Sequence, residues 1–376
     1  GDILIDETDG VELLDVDTVD GDITVVLATG DAEIGTINAG AGTDDVILTL
    51  TAAGQSVTDG DGNSLITADA LTIQAGADIG TSEQAINTDA VSYADIDSTT
   101  TGDIHLSDID SVTATNVQTT AGSITLGAET NIELDGVINA EGGGLTINAG
   151  NVTDTATASI TTGNDSAITI TAIDSAELDE AAILSGKNSP VTITADQDVD
   201  VAVVTTGEDS NITITAGDEL DLTGAIIGGD NADITLISLG ETRDITIDNS
   251  VSTQDDGDIS VTSQDEIEFT NSIQAAGGDV TLSAGGDIDG DDTTGLVEVS
   301  TGGGTLRITS VDSVTGGGTT GFTTGTANLV IEEAFGDVSI LNNGALNVID
   351  VNVDGDATLT ATTGDLSIDR LVSGSD

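Results

Sequence analysis

The chain reads as an all-β protein, a parallel β-helix (β-solenoid) with triangular coils of roughly 20–25 residues. Three observations predict it: a short phrase that keeps returning, a nearly all-aliphatic apolar content, and many turn residues with no convincing helix. The phrase is clearest between Asn211 and Gly290. There Asn211-Ile-Thr-Ile-Thr-Ala-Gly-Asp-Glu-Leu-Asp-Leu-Thr returns as Asp258-Ile-Ser-Val-Thr-Ser-Gln-Asp-Glu-Ile-Glu-Phe-Thr. It starts once more as Asp279-Val-Thr-Leu-Ser-Ala-Gly-Gly-Asp-Ile.

Composition fits a narrow tube better than a broad globular core. Of 376 residues 37% are hydrophobic, yet there are three Phe, one Tyr and no Trp or Met. Forty-eight Gly and one Pro point to many tight turns with few rigid breaks. The 69 acidic and four basic residues give a formal net charge of −65. Disordered acidic chains lack apolar residues, whereas here Ile, Val and Leu recur at regular intervals. Such a charge repels nucleic-acid phosphates and anionic membrane surfaces, leaving cations and basic surfaces as natural partners. No apolar run is long enough for a membrane-spanning helix. With no Cys, thiols say nothing of redox compartment. The chain starts at Gly1 without a signal peptide, as expected of a mature product or an excised segment.

Taking the first apolar residue of each phrase as position zero aligns the copies. Positions zero and +2 read Ile104/Leu106, Ile124/Leu126, Leu145/Ile147, Ile168/Ile170, Val191/Ile193, Ile212/Ile214 and Ile234/Leu236. They continue through Ile259/Val261, Val280/Leu282 and Leu306/Ile308. Alternation of apolar and polar residues is the strand period with one face buried. Position +4 is small, as in Ala149, Ala172, Ala216, Ser263 and Ser310, which suits a corner inside a narrow tube. A second apolar position falls eight residues after the first, as at Val112, Ile132, Leu220 and Ile288. A third follows at Ile138, Ile226 and Ile273. Three short strands and three turns make one coil.

Residues 1–101 carry the signal less regularly, with Ile3, Ile23, Val46 and Leu71 as position-zero residues. Residues 80–101 suggest a longer loop or an irregular coil. Residues 102–310 are regular, and 311–376 diverge, with the pattern recovering at Val338 and Leu366. No interdomain linker is evident, so residues 1–376 are expected to form one continuous solenoid.

Gly122-Ser-Ile-Thr-Leu-Gly-Ala-Glu-Thr-Asn-Ile-Glu-Leu-Asp-Gly-Val-Ile-Asn-Ala-Glu-Gly-Gly and the phrase at Gly278 resemble the repeats of filamentous-haemagglutinin-type adhesins. That resemblance covers most of residues 102–310. It implies a right-handed β-helix and a secreted bacterial shaft, whose activities sit outside the repeats.

Candidate chemistry is sparse. A polysaccharide lyase needs a base and charge-neutralising cations, but Lys187, Arg243, Arg307, Arg370 and His105 fall on separate coils. A glycosidase would also want aromatic sugar platforms, and four aromatics are few. No catalytic residue or enzyme activity is therefore expected. Asp59, Asp61 and Asn63, and likewise Asp287, Asp289 and Asp291, alternate oxygen ligands as Ca²⁺ prefers. Neither set matches an EF-hand or a calcium β-roll. Each alone reads first as a solvated turn, and diffuse cation dependence as the stronger expectation. Thr169/Thr171, Thr192/Thr194 and Thr213/Thr215 form ranks resembling an ice-binding face, although Thr also suits any exposed strand. Asn151, Asn164 and Asn211 head N-x-S/T sequons.

The resulting expectation is a secreted, cell-surface or matrix structural protein that associates head to tail and is stabilised by Ca²⁺ or other cations. An adhesin shaft with cell-surface glycans as partners is the alternative. A carbohydrate-active or ice-binding β-helix is more remote.

Overall fold

The computed structural model describes residues 1–40, 42–60, 62–241, 244–290, 299–309, 312–316 and 322–374. Their regular structure is entirely strand, pairing is parallel throughout, and about 16 turns are formed. The chain divides into two compact units, Gly1–Ser189 and Pro190–Asp376, each a β-solenoid. The one proline opens the second unit, where its missing N–H and fixed φ are tolerated just before the strand Val191–Ala195.

In each unit equivalent residues of successive coils stand in register on three faces. On the first face of the second unit, Val191, Ile212, Ile234, Ile259, Val280 and Leu306 follow one another, with Ile193, Ile214 and Leu236 two residues on. The first unit repeats this with Ile104, Ile124, Leu145 and Ile168. The second face of the second unit stacks Val199, Leu220, Ile245, Ile267, Ile288, Val314 and Val338. Its third face stacks Val204, Ile226, Val251, Ile273 and Val299. Small aliphatic side chains meeting their own kind fill most of the tube, with Tyr93, Phe269 and Phe322 as its buried rings, and Ile193, Ile214 and Leu236 are fully buried. The corner column behaves as its small residues require: Ala149, Ala172, Ala216, Ser238 and Ser263 are all buried. Ser310 lies outside the described residues.

One assignment is corrected. Ile3, Ile23, Val46 and Leu71 do stack, but their column continues to Tyr93, Ala114 and Leu134 on the second face. It is Val11, Ala32, Val57 and Ile79 that lead into Ile104 on the first face. The reason is the spacing: Leu71 to Ile104 is 33 residues (104 − 71), whereas Ile79 to Ile104 is 25 (104 − 79), one ordinary coil. Of the two alternatives for residues 80–101, the irregular coil is the one formed. The 13-residue strand Ile86–Ser98 pairs with Leu65–Ala75 through a single register shift. Val338 also belongs to the second face, and Leu329 and Val348 continue the first.

A third turn, between the third face and the next coil, is closed from inside. Inward hydroxyls of Ser185, Thr206 and Thr253 donate to the carbonyls of Ser189, Ser210 and Gly257, four residues on. At the same turns Asp165, Asn188, Asp209, Asn231 and Asp255 take positive φ, between 47° and 58°. Asp and Asn tolerate this left-handed conformation better than other residues with a Cβ.

Candidate functional site

The surface chemistry of the chain is that of its carboxylates, and part of it is structural. The residue preceding a first-face strand reaches across to the backbone of the next coil. In the second unit the N–H groups of Asp233, Asp258, Asp279 and Thr305 donate to Oδ1 of Asn211, Asp233, Asp258 and Asp279 at 2.7–3.0 Å. In the first unit Asp78 and Asp103 do the same for the N–H groups of Asp103 and Ser123. These acidic side chains cap corner amides that the strand ladder leaves free. The signal is an Asp or Asn just before several of the apolar-polar-apolar triplets, as at Asp103, Asn211, Asp233, Asp258 and Asp279. Reading the charge only as a statement about partners misses it.

A second population faces solvent on the second face of the second unit. Outward positions there carry Asp200, Asp221, Thr246, Glu268 and Asp289 in register. Just before those strands stand Asp198, Glu219, Asp244, Glu266 and Asp287, of which Asp198 and Asp244 also accept the Glu219 and Glu266 N–H groups at 3.2 Å. Successive coils are ~4.8 Å apart, so the carboxylates crowd one another. Burial, and then Asp244, Asp287, Asp289 and Glu268, push the Glu266 carboxyl above its ordinary range. Asp221 is raised by burial and by Asp248, against the lowering hydrogen bond from Thr246.

Both cation candidates can be placed in part. Asp59 is buried, and its carboxylate accepts from Gly62 N–H at 2.7 Å, Ser64 N–H at 3.1 Å and Ser64 Oγ at 2.9 Å. It closes its own loop, while Asn63 is exposed and Asp61 lies outside the described residues. Asp287 is exposed and Asp289 half-buried, the latter accepting from Thr315 Oγ1 at 3.2 Å. Asp291 lies outside the described residues. Asp287 and Asp289 therefore belong to the long carboxylate field beside Glu266. Among the described residues no three Asp, Glu or His side chains converge to hold a metal ion. What the arrangement offers is a line of hard oxygen donors along successive coils.

The residues weighed for catalysis are dispersed. His105 points outward beside Thr125, in a groove shared with Asp78, Ser82, Asp103 and Ser123. Arg307 pairs with Glu332 at 2.9 Å, Arg370 pairs with Asp350, and Lys187 is exposed. Arg243 lies outside the described residues. Of the four aromatics Tyr93, Phe269 and Phe322 are buried, the two Phe rings 5.7 Å apart, and Phe335 alone is exposed. The sequons differ in setting. Asn151 is half-buried and donates to Asn131, whereas Asn164 and Asn211 are exposed and accept the N–H groups of Lys187 and Asp233.

The feature that sequence reading missed is a buried polar cluster. Asp108, which is 1% exposed, occupies the corner column where other coils have Ala or Ser. Its Oδ2 accepts from Thr88 Oγ1 at 2.8 Å and from Ala90 N–H at 3.0 Å. Tyr93 OH lies 2.7 Å from Thr88 Oγ1. Since an ionised carboxylate only accepts, Thr88 donates to it and the phenol donates to Thr88.

Architecture and surface together define a class: a parallel β-solenoid repeat protein with an acidic exterior. Comparison with protein-family models, with characterised proteins and with solved structures gave no match.

Proposed function

We propose that this chain is an extracellular structural protein, a subunit of a filament, surface layer or matrix in which β-solenoids stack end to end and cations moderate their charge. The observation that carries the reading is the stacking itself: successive coils pair in parallel register, so the edge of one coil is built to accept another. Unpaired parallel edges with apolar side chains recruit another strand. A further coil satisfies them, and a copy joined head to tail supplies one in a contact that does not close on itself. The carboxylate field on the second face supports a role for Ca²⁺ or other cations, since neighbouring coils share the charge.

A second reading rests on the phrase beginning at Gly122 and the parallel coils: a shaft segment of a large secreted adhesin of the filamentous-haemagglutinin type. In that case the parent chain's next coil covers the edges, and cell-surface glycans are bound elsewhere on it. Sedimentation and negative-stain imaging of residues 1–376 with and without Ca²⁺ separate the two. Linear polymers that shorten on Leu4→Glu or Ile368→Glu support the filament subunit. Monomers at every protein concentration and salt level reject it in favour of the shaft.

A further inference from the structure

Carboxylates are spread unevenly over the faces of the second unit. On the first face the ten outward side chains between residues 192 and 283 are Thr, Ser and one Ile, with no charge among them. Thr213/Thr215, Thr235/Ile237 and Ser260/Thr262 are its middle ranks, each standing in register on the next. Stacking alone does not impose this. At the same coil pitch the second face carries Asp200 above Asp221 and Glu268 above Asp289. The third face is uncharged too, but with a single outward column of Thr205, Ile227, Ser252, Gln274 and Ser300, so in a chain of net charge −65 the first face is the wider of two faces kept free of charge.

We propose that this first face is a lateral docking surface for the same face of a second copy of the chain. Charge selects the occupant. Two such chains approaching by their second faces would set carboxylate columns against each other, whereas first faces meet as neutral hydroxyl and methyl rows. Pitch selects it too: a second copy repeats at the same ~4.8 Å, so rows of one seat between rows of the other with the sheets ~10 Å apart. Five strands of five residues present a patch of about 24 by 17 Å, roughly 400 Å². That is about half of the ~800 Å² per partner of a stable interface. The contact is therefore concentration-dependent, and it tightens with salt as the flanking Asp233, Asp258 and Asp279 are screened. It uses a sheet face rather than coil edges, so it stands or falls independently of end-to-end stacking.

The chain has no cysteine, which permits a direct test on the full chain. Thr235→Cys places a thiol in the middle rank, and Thr246→Cys places one on the second face as a control. Under mild oxidation in molar NaCl, Thr235→Cys should form disulfide dimers at least tenfold faster than Thr246→Cys. In sedimentation, Thr235→Glu should weaken self-association at least tenfold, with Thr246→Glu unchanged and both still folded by far-UV circular dichroism. Equal cross-linking at the two positions overturns the proposal. So does a monomer at all concentrations and salts, or one whose first face instead retains a neutral polysaccharide or shapes ice. Association abolished by Leu4→Glu or Ile368→Glu but not by Thr235→Glu assigns the contact to the coil edges and also overturns it.

Discussion

Thr88 donates from Oγ1 to Oδ2 of Asp108 across 2.8 Å, with both side chains buried in the first unit. The pair sits at the junction of Ile86–Ser98 and Ile104–Asp108, where Ile86 pairs with Leu106 and Thr88 with Asp108. Elsewhere this corner holds a small apolar or hydroxyl residue. Here a carboxylate is accepted because Thr88, Ala90 and Asp110 supply donors to it.

Asp108→Ala should be the most damaging single change in this region. It strands the Thr88 hydroxyl and the Ala90 N–H without an acceptor, and a buried unsatisfied donor costs about 1–3 kcal/mol each. Asp108→Asn keeps two acceptor directions and should lose less. Melting temperatures by circular dichroism check the order wild type, then Asn, then Ala. An Ala variant as stable as the Asn variant would refute the network's role.

The corner carboxylates separate a hydrogen bond from a charge. Asp258 accepts the Asp279 N–H at 2.8 Å while adding one negative charge to a crowded surface. Asp258→Asn keeps the acceptor and removes the charge, so it should match or exceed wild-type stability at low salt. Asp258→Ala loses the acceptor as well and should fall about 1 kcal/mol below the Asn variant. Equilibrium denaturation of the three proteins at low ionic strength decides this.

The core was legible in the sequence because burial imposes a period of two on each strand and stacking repeats it every coil. Ile212, Ile234 and Ile259 could thus be aligned by eye, and they stack as aligned. Which face a triplet occupies was harder to read, because all three faces accept the same aliphatic alternation. Ile3 and Ile104 look alike, yet they stand on different faces. The Asp59 loop shows why local motifs are ambiguous: alternating oxygens serve a cation or the loop's own amides equally well, and here the carboxylate meets Gly62 and Ser64. Asp108 gave no local sign, since its donors Thr88 and Ala90 lie a coil away.

The stacked core makes a graded prediction. Ile214 is fully buried between Ile193 and Leu236. Ile214→Val should cost about 0.5–1.5 kcal/mol by deleting one methyl group. Ile214→Asp buries a carboxylate without a partner, costs several kcal/mol and opens the neighbouring coils as well. Hydrogen exchange should show protection lost across residues 191–238 for the Asp variant, with the Val variant protected as wild type. Equal protection in both would rule out this register.

Salt and pH should act in the same direction. Charges about 5 Å apart repel by roughly 0.8 kcal/mol in water before screening, and many pairs compete with a total stability near 5–15 kcal/mol. Melting temperature should therefore climb with NaCl, and further with Ca²⁺ where the second-face carboxylates share an ion. Protonation adds to this. Asp97, Asp108, Asp154, Asp221 and Glu266 are all raised, burial being the largest cause for each. Asp154 is pushed up from 3.8 to about 6, and its Oδ1 is buried without a hydrogen-bond partner. A carboxyl raised on folding binds its proton more tightly in the folded state. Stability then falls as pH rises from the unfolded value near 3.8 through the folded value near 6, and it returns on acidification. The expected profile is a melting temperature higher at about pH 5 than at about pH 7.5, the reverse of a protein held by salt-bridged carboxylates. Asp154→Asn should raise the melting temperature at about pH 7.5 and flatten the profile between the two. A wild-type curve that instead drops on acidification from neutrality to about pH 5 would contradict the assignment of these carboxyls as strained in their charged form.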